Sequence, residues 1–182
     1  ADTWHEIGAP PRVSFVIVLD ASGSMNDGGR MVSAKKGINM LLDNVPAGVE
    51  LAIIIFQGSS NRAVGFTRDI GKIRAAVDSA RANGGTPLAA AIATARKLLE
   101  SSAHPMSTDW RYRIFSDGQE TAGGNVVQET RLLDQAVARR KGKVAKKPKD
   151  KVPPPKPTPA EKIQISPRRW TAHIVETESR TG

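Results

Sequence analysis

Three short segments of the chain present oxygen donors at close spacing. They are Asp20, Ser22 and Ser24 in Asp20-Ala21-Ser22-Gly23-Ser24, Thr86 in Gly84-Gly85-Thr86-Pro87, and Asp117 in Ser116-Asp117-Gly118. Two carboxylates and three hydroxyls, with no His or Cys among them, form a hard donor set that suits Mg2+, Mn2+ or Ca2+ rather than zinc or copper. The alternation of Asp20, Ser22 and Ser24 lets one tight turn aim three side chains at a single point, and Gly23 relaxes the steric limit on that turn. Each segment also has a plainer meaning when read alone. The first fits an N-capping turn, Thr86 a helix N-cap, and Asp117 a turn residue before Gly118. Asn26, Asp27, Gln119 and Glu120 read as solvated loop residues beside them.

The elements that must position these segments follow from the hydrophobic pattern. Arg12 to Asp20 (RVSFVIVLD) and Val49 to Phe56 (VELAIIIF) are continuous β-branched and apolar runs, as expected of strands covered on both faces. Arg62 to Phe66 fits a short edge strand and Trp110 to Ser116 a further strand. Apolar residues at helical spacing predict helices over Met31 to Leu42, Asp69 to Ala82 and Val126 to Arg139. Thr86 and Pro87 open another helix as N-cap and first helical residue, with Leu88, Ile92, Ala95 and Leu99 on one face. Strands alternating with helices predict an α/β fold, a doubly wound, mostly parallel sheet with helices on both faces. In such folds ligands bind beyond the carboxyl ends of the strands. The donor segments are predicted to lie at that edge.

Charge is unevenly distributed. The formal net charge of +9 invites a nucleic-acid or anionic-surface reading. Residues 1–138 carry 14 Lys+Arg against 14 Asp+Glu, whereas residues 139–182 carry 13 against 4, with seven of the twelve prolines. The excess therefore belongs to the last quarter of the chain, and the part with an apolar pattern is neutral. Residues 140–168 lack apolar periodicity and are rich in Lys and Pro, a composition that buries too little to offset its ordering entropy. The expected organisation is an N-terminal extension over 1–11, a folded domain over 12–139, a basic flexible insertion over 140–168, and a last strand and tail over 169–182, with Trp170 to Glu176 as the strand. With no cysteine, disulfides and thiolate chemistry are excluded. No apolar run approaches the roughly 20 residues needed to span a bilayer. The opening Ala1-Asp2-Thr3, without Met or an apolar leader, marks a processed chain or a piece of a longer one.

Asp20-Ala21-Ser22-Gly23-Ser24 resembles the DxSxS signature of the von Willebrand factor A domain family. Gly85-Thr86-Pro87-Leu88 resembles its threonine loop and Phe115-Ser116-Asp117-Gly118 its strand-end aspartate motif. The three occur in family order over roughly residues 12 to 138, each on a predicted strand or helix boundary. The resemblance implies a Rossmann-like fold and a metal-ion-dependent adhesion site. Carried over by motif position, Ser22, Ser24 and Thr86 would ligate the cation through their hydroxyls, and Asp20 and Asp117 would act largely through bound water. An open coordination position would take an Asp or Glu carboxylate from a partner protein. The chain departs from the family pattern in the length of 140–168, in ending six residues after Glu176, and in having Arg111 and Arg113 in the strand before Asp117.

Two other readings compete. A strand-end aspartate such as Asp20 also fits a Mg2+-dependent phosphohydrolase nucleophile. Haloacid-dehalogenase-like phosphatases, however, place a second carboxylate two residues later, where this chain has Ser22. G-x-S-x-G, Walker A and G-x-G-x-x-G motifs are absent from the sequence. The basic stretch 139–169 suits nonspecific, salt-sensitive contact with a polyanion or membrane surface. It has no aromatic residue interleaved for base stacking, which argues against sequence-specific nucleic-acid binding.

Overall fold

A computed structural model describes residues 10–58, 60–118 and 120–145. The predicted final strand, most of the basic stretch and most of the N-terminal extension lie outside the described residues. Among the described residues four strands form one sheet in the order β3-β2-β1-β4. They are β1 (Val13–Asp20), β2 (Val49–Gln57), β3 (Ser60–Thr67) and β4 (Asp109–Phe115). β1 runs parallel to β2, from Val13 opposite Val49 to Asp20 opposite Phe56, and parallel to β4, from Val13 opposite Asp109 to Leu19 opposite Phe115. β3 returns antiparallel on β2, as a hairpin-linked edge strand does. The sheet is therefore mixed but mostly parallel.

The two apolar runs became the two central strands because each has helices on both sides. Ile17, Leu19, Leu51, Ile53 and Ile55 face α1 (Arg30–Leu42) and α2 (Ile70–Ser79), meeting Ile38, Leu42, Ile73 and Val77. The alternate residues Val16, Val18, Ile54 and Phe56 face α3 (Leu88–Ser102) and α4 (Val126–Ala145), meeting Leu88, Ile92, Leu99 and Leu133. Strand period 2 thus splits one run between two cores. Asp69 caps α2 by accepting from the Lys72 amide at 3.3 Å.

β4 is covered differently. Trp110, Tyr112 and Ile114 are only partly buried, and the intervening arginines lie along the surface. The Arg113 guanidinium sits 5.7 Å from the Phe115 ring centroid, and Arg111 pairs with Asp109 at 2.6 Å. The Arg113 stem and planar head cover ring surface that a hydrophobic strand would have left to a neighbour.

Several helix boundaries differ from the sequence expectation. A 3-10 segment, Gly23–Gly29, precedes α1 and contains Gly28 and Gly29 at positive φ. α2 stops at Ser79, three residues before the predicted Ala82, because Ala80 turns extended. α4 runs to Ala145, six residues beyond Arg139. Arg140 accounts for the extension. It donates to the Ser107 and Pro105 carbonyls at 2.8 and 2.5 Å and lies 5.2 Å over the Trp110 ring, while Lys141 reaches Asp109 at 3.5 Å. These contacts hold a stretch whose Lys, Arg and Ala residues are already good helix formers. Among the described residues no helix is long and apolar enough to cross a membrane.

Candidate functional site

β1, β2 and β4 share one direction, so the loops that leave them open on one edge of the sheet. Main-chain bonds tie these loops together. The Ala21 amide donates to the Phe56 carbonyl at 2.9 Å, and the Asn83 amide to Ala21 at 2.8 Å. Gly23 donates to Gly84, and Gly58 to Gly85, each at 2.9 Å. The approach is so close that a Cβ on Gly84 would stand 3.2 Å from the Gly58 backbone, and Gly84 itself has φ +76°. Only glycine satisfies both demands. The loop carrying Thr86 is thereby held against the turn carrying Asp20, Ser22 and Ser24.

The third segment is tied on by side chains. Asp20 is fully buried; one carboxylate oxygen accepts the Ser22 amide at 2.8 Å and the other the Ser116 hydroxyl at 2.6 Å. Burial pushes the Asp20 carboxyl above its ordinary value. The hydrogen bonds from Ser116 and Ser22 oppose the rise, and the negative charge of Asp117 adds to it. Ser22 and Ser24 hydroxyl oxygens are 3.2 Å apart. Thr86 is 2% exposed, and its hydroxyl makes no hydrogen bond among the described residues. Asp117, with its side chain 5% exposed, lies 3.5 Å from the Arg30 guanidinium, which also donates to the Ser24 carbonyl at 3.0 Å. Among the described residues Asp20 forms no ion pair. No cluster of three or more His, Cys, Asp or Glu occurs there either, so the donor set is rich in hydroxyls.

The capping roles are not what the site residues do. Neither the 3-10 segment nor α1 takes a side-chain cap, so Asp20, Ser22 and Ser24 cap no helix. α3 begins at Leu88 with Pro87 at its N-cap position, one residue later than predicted, and the Thr86 hydroxyl caps nothing. The cause is the glycine stitch, which draws Gly84 and Gly85 outward before the helix can start. The cap comes from elsewhere. Glu120 accepts the Ala89 amide at 2.7 Å, and Thr121 accepts the Thr86 amide at 2.7 Å while returning its own amide to the Thr86 carbonyl at 3.1 Å. Glu120, read from sequence as a solvated loop residue, is a half-buried cap supplied across 31 positions. Sequence reasoning also missed Ser116 as the partner of Asp20, and Arg30. The only sequence trace of Arg30 is that it follows Gly28-Gly29.

Comparison with known proteins places this arrangement in context. The profile of the von Willebrand factor type A domain matches residues 15–119, from the first strand through the strand-end aspartate. No curated protein matches the chain. Among solved structures, the three N-terminal domains of the type V pili tip protein Mfa5 from Porphyromonas gingivalis share 22% identity and a TM-score of 0.54, over 62% of this chain and 20% of that one. The pilus adhesin SpaC from Lactobacillus rhamnosus GG shares 22% identity at a TM-score of 0.53, over 62% of this chain and 15% of that one. BatB from Bacteroides thetaiotaomicron shares 21% identity at a TM-score of 0.58, over 69% and 62%. The chain thus spans less than two thirds of each of these proteins, and at such identity the likeness is one of fold. The sheet order, the strand-end loops and a profile match covering more than half of the sequence agree, and the chain belongs to the von Willebrand factor type A domain family.

Proposed function

We propose that this chain is an adhesion-type protein-interaction module, without catalysis of its own, that binds an acidic residue of a partner through a divalent cation. The observation that carries this reading is the fully buried Asp20 carboxylate, which has no ion pair among the described residues and stands beside hydroxyls with few commitments. A buried carboxylate is expensive to maintain unless a cation balances it. Mg2+, Mn2+ or Ca2+ supplies that balance and, when bound, a hard positive centre for an incoming carboxylate. In this reading Ser22, Ser24 and Thr86 hold the ion through their hydroxyls. Asp20 and Asp117 neutralise it from behind, with Ser116 and the Ser22 amide fixing Asp20. With hydroxyls in place of carboxylates next to the ion, more of its charge remains for the partner. Mfa5 and SpaC, which share the fold, are by name a pilus tip protein and a pilus adhesin, which agrees with an adhesive role.

The experiment is titration calorimetry of the full chain with MnCl2 and MgCl2, paired with retention on a resin bearing a glutamate-rich peptide. Saturable one-to-one binding of the ion, and retention that EDTA abolishes, are the expected results. A chain that takes up neither ion would sink the proposal.

Arg30 gives a second expected outcome. Its positive charge already sits 3.5 Å from Asp117, so it competes with the ion for the same carboxylate. Arg30→Gln should raise the affinity for Mn2+. Because the Arg30 side chain is 33% exposed, solvent screening limits the pair to about 1 kcal/mol, or a gain of up to about fivefold. Calorimetry of the variant reads this directly, and a lower affinity would show that Arg30 instead supports Asp117.

A further inference from the structure

Beside the proposed metal face lies a second concave site whose charge is of the opposite kind. A cavity of about 180 Å³ is lined by Ile55, Gln57, Arg62, Ser79, Ala80 and Arg81. Its floor is the end of α2. The Arg62 guanidinium donates to the Ser79 hydroxyl at 2.9 Å. Arg81 donates to the carbonyls of Asp78 and Ala80 at 2.8 and 3.0 Å. The Lys35 ammonium, reaching over from α1, donates to the same two carbonyls at 2.9 and 2.8 Å. A helix C-terminus welcomes a cation. Here, however, two cations share one pair of carbonyls and a third stands one residue away. Among the described residues none of the three is paired with a carboxylate. Asp78 is the one acidic group that acts on Lys35; burial and the Arg81 charge outweigh it and hold the ammonium below its ordinary value.

We infer that this pocket is an anion subsite that receives a second carboxylate of the partner protein. Arg62 and Arg81 present guanidinium forks suited to the two oxygens of a carboxylate, with Gln57 as a further polar contact and Lys35 as added charge. Its position connects it to the metal face. Ala82, next to Arg81, accepts from the Asn26 side chain at 3.2 Å, and Asn83 bonds Ala21. Gln57 adjoins Gly58, which bonds Gly85. Arg81 and Thr86 are five residues apart in sequence, so their backbones are separated by at most about 18 Å. The fitting partner therefore carries two acidic side chains within about five residues of extended chain, one for the cation and one for this pocket. That pairing rests on the proposed metal-dependent function, whereas the pocket itself takes a carboxylate with or without the ion.

The test uses the full chain in EDTA, so that it does not depend on metal. An acetylated tetraglutamate peptide is titrated at constant ionic strength while the backbone amides of Ser79 and Arg81 and the Nε–H groups of Arg62 and Arg81 are followed by NMR. A parallel titration uses inorganic phosphate. These signals should shift saturably with the peptide, and Val127→Ala, at an exposed position of α4, should leave the response intact. Arg62→Gln/Arg81→Gln should weaken it at least tenfold, with the rest of the amide spectrum unchanged. Arg62→Gln alone, which removes a side chain whose one hydrogen bond among the described residues is to Ser79, serves if the double variant does not fold. Shifts that do not saturate, that survive in the variants, or that saturate with phosphate but not with the peptide would overturn the assignment. Failure here leaves the metal titration of the preceding section unaffected.

Discussion

Asp20→Ala is expected to lower the affinity for Mn2+ by about 10- to 100-fold, the range typical when an outer partner that orients metal-bound groups is lost. The residue joins two of the three donor segments, since its oxygens accept from the Ser22 amide and the Ser116 hydroxyl. The alanine variant loses both ties and leaves a buried amide and a half-buried hydroxyl without that acceptor. Asp20→Asn separates charge from architecture. Its amide oxygen can still accept from Ser22, and its NH2 can donate to Ser116. It should therefore bind Mn2+ almost as poorly as the alanine variant. In EDTA it should nonetheless be at least as stable as the parent at neutral pH, because it removes a fully buried charge that burial already disfavours. Thermal unfolding with and without metal reads both effects. At a metal concentration of about 100 times Kd, the parent gains about 2.7 kcal/mol. Neither variant should show that gain. An Asp20→Asn chain still stabilised by Mn2+ to the same degree as the parent would remove Asp20 from the site.

The second large effect lies underneath the site. Phe56→Ala should destabilise the chain by about 3–5 kcal/mol, a large share of the stability of an ordinary domain. Phe56 is fully buried between the sheet and α3, in the cluster that includes Leu88, Ala91 and Ile92. Its carbonyl accepts the Ala21 amide at 2.9 Å, and it stands opposite Asp20 in the ladder. The side chain thus supports the first turn of α3, the helix that follows Thr86. Chemical denaturation gives the stability change, and metal affinity should fall with it as the threonine loop loses its footing. Val127→Ala is the matched control: at 62% exposure it should shift stability by no more than about 0.5 kcal/mol. A Phe56 variant as stable as the control would contradict the packing described.

The parts legible in the sequence are those decided locally. β1 and β2 declare themselves by apolar runs, because helices cover both of their faces, and α3 by Leu88, Ile92, Ala95 and Leu99 on one face. Each donor segment is a short motif at an element boundary, and the structure places all three segments at one edge of the sheet. What stayed hidden depends on residues distant in the chain. No local rule says that Glu120 caps a helix starting at Leu88, or that Arg30 reaches Asp117. The displacement of Thr86 from its predicted capping position arises from Gly84 meeting Gly58, a contact of two backbones that no side-chain pattern encodes. The extension of α4 was equally invisible, since it rests on Arg140 reaching the carbonyls of Pro105 and Ser107. Trp170 to Glu176, the predicted last strand, lies outside the described residues.

The stitching of the loops by Ala21, Gly23, Gly58, Asn83 and Gly85 has a bearing on how such a face changes over time or under selection in the laboratory. Each of those bonds joins a main-chain amide to a main-chain carbonyl. None consumes a side chain, so exposed positions around the rim, such as Asp27 and Asn61, are available for exchange while the scaffold beneath keeps its shape. A library randomised at those positions should yield many folded members that differ in what they capture. One randomised at Gly84 or Gly58 should yield few that fold. Variation in recognition and constancy of the anchoring geometry are in this way assigned to different atoms of the same loops.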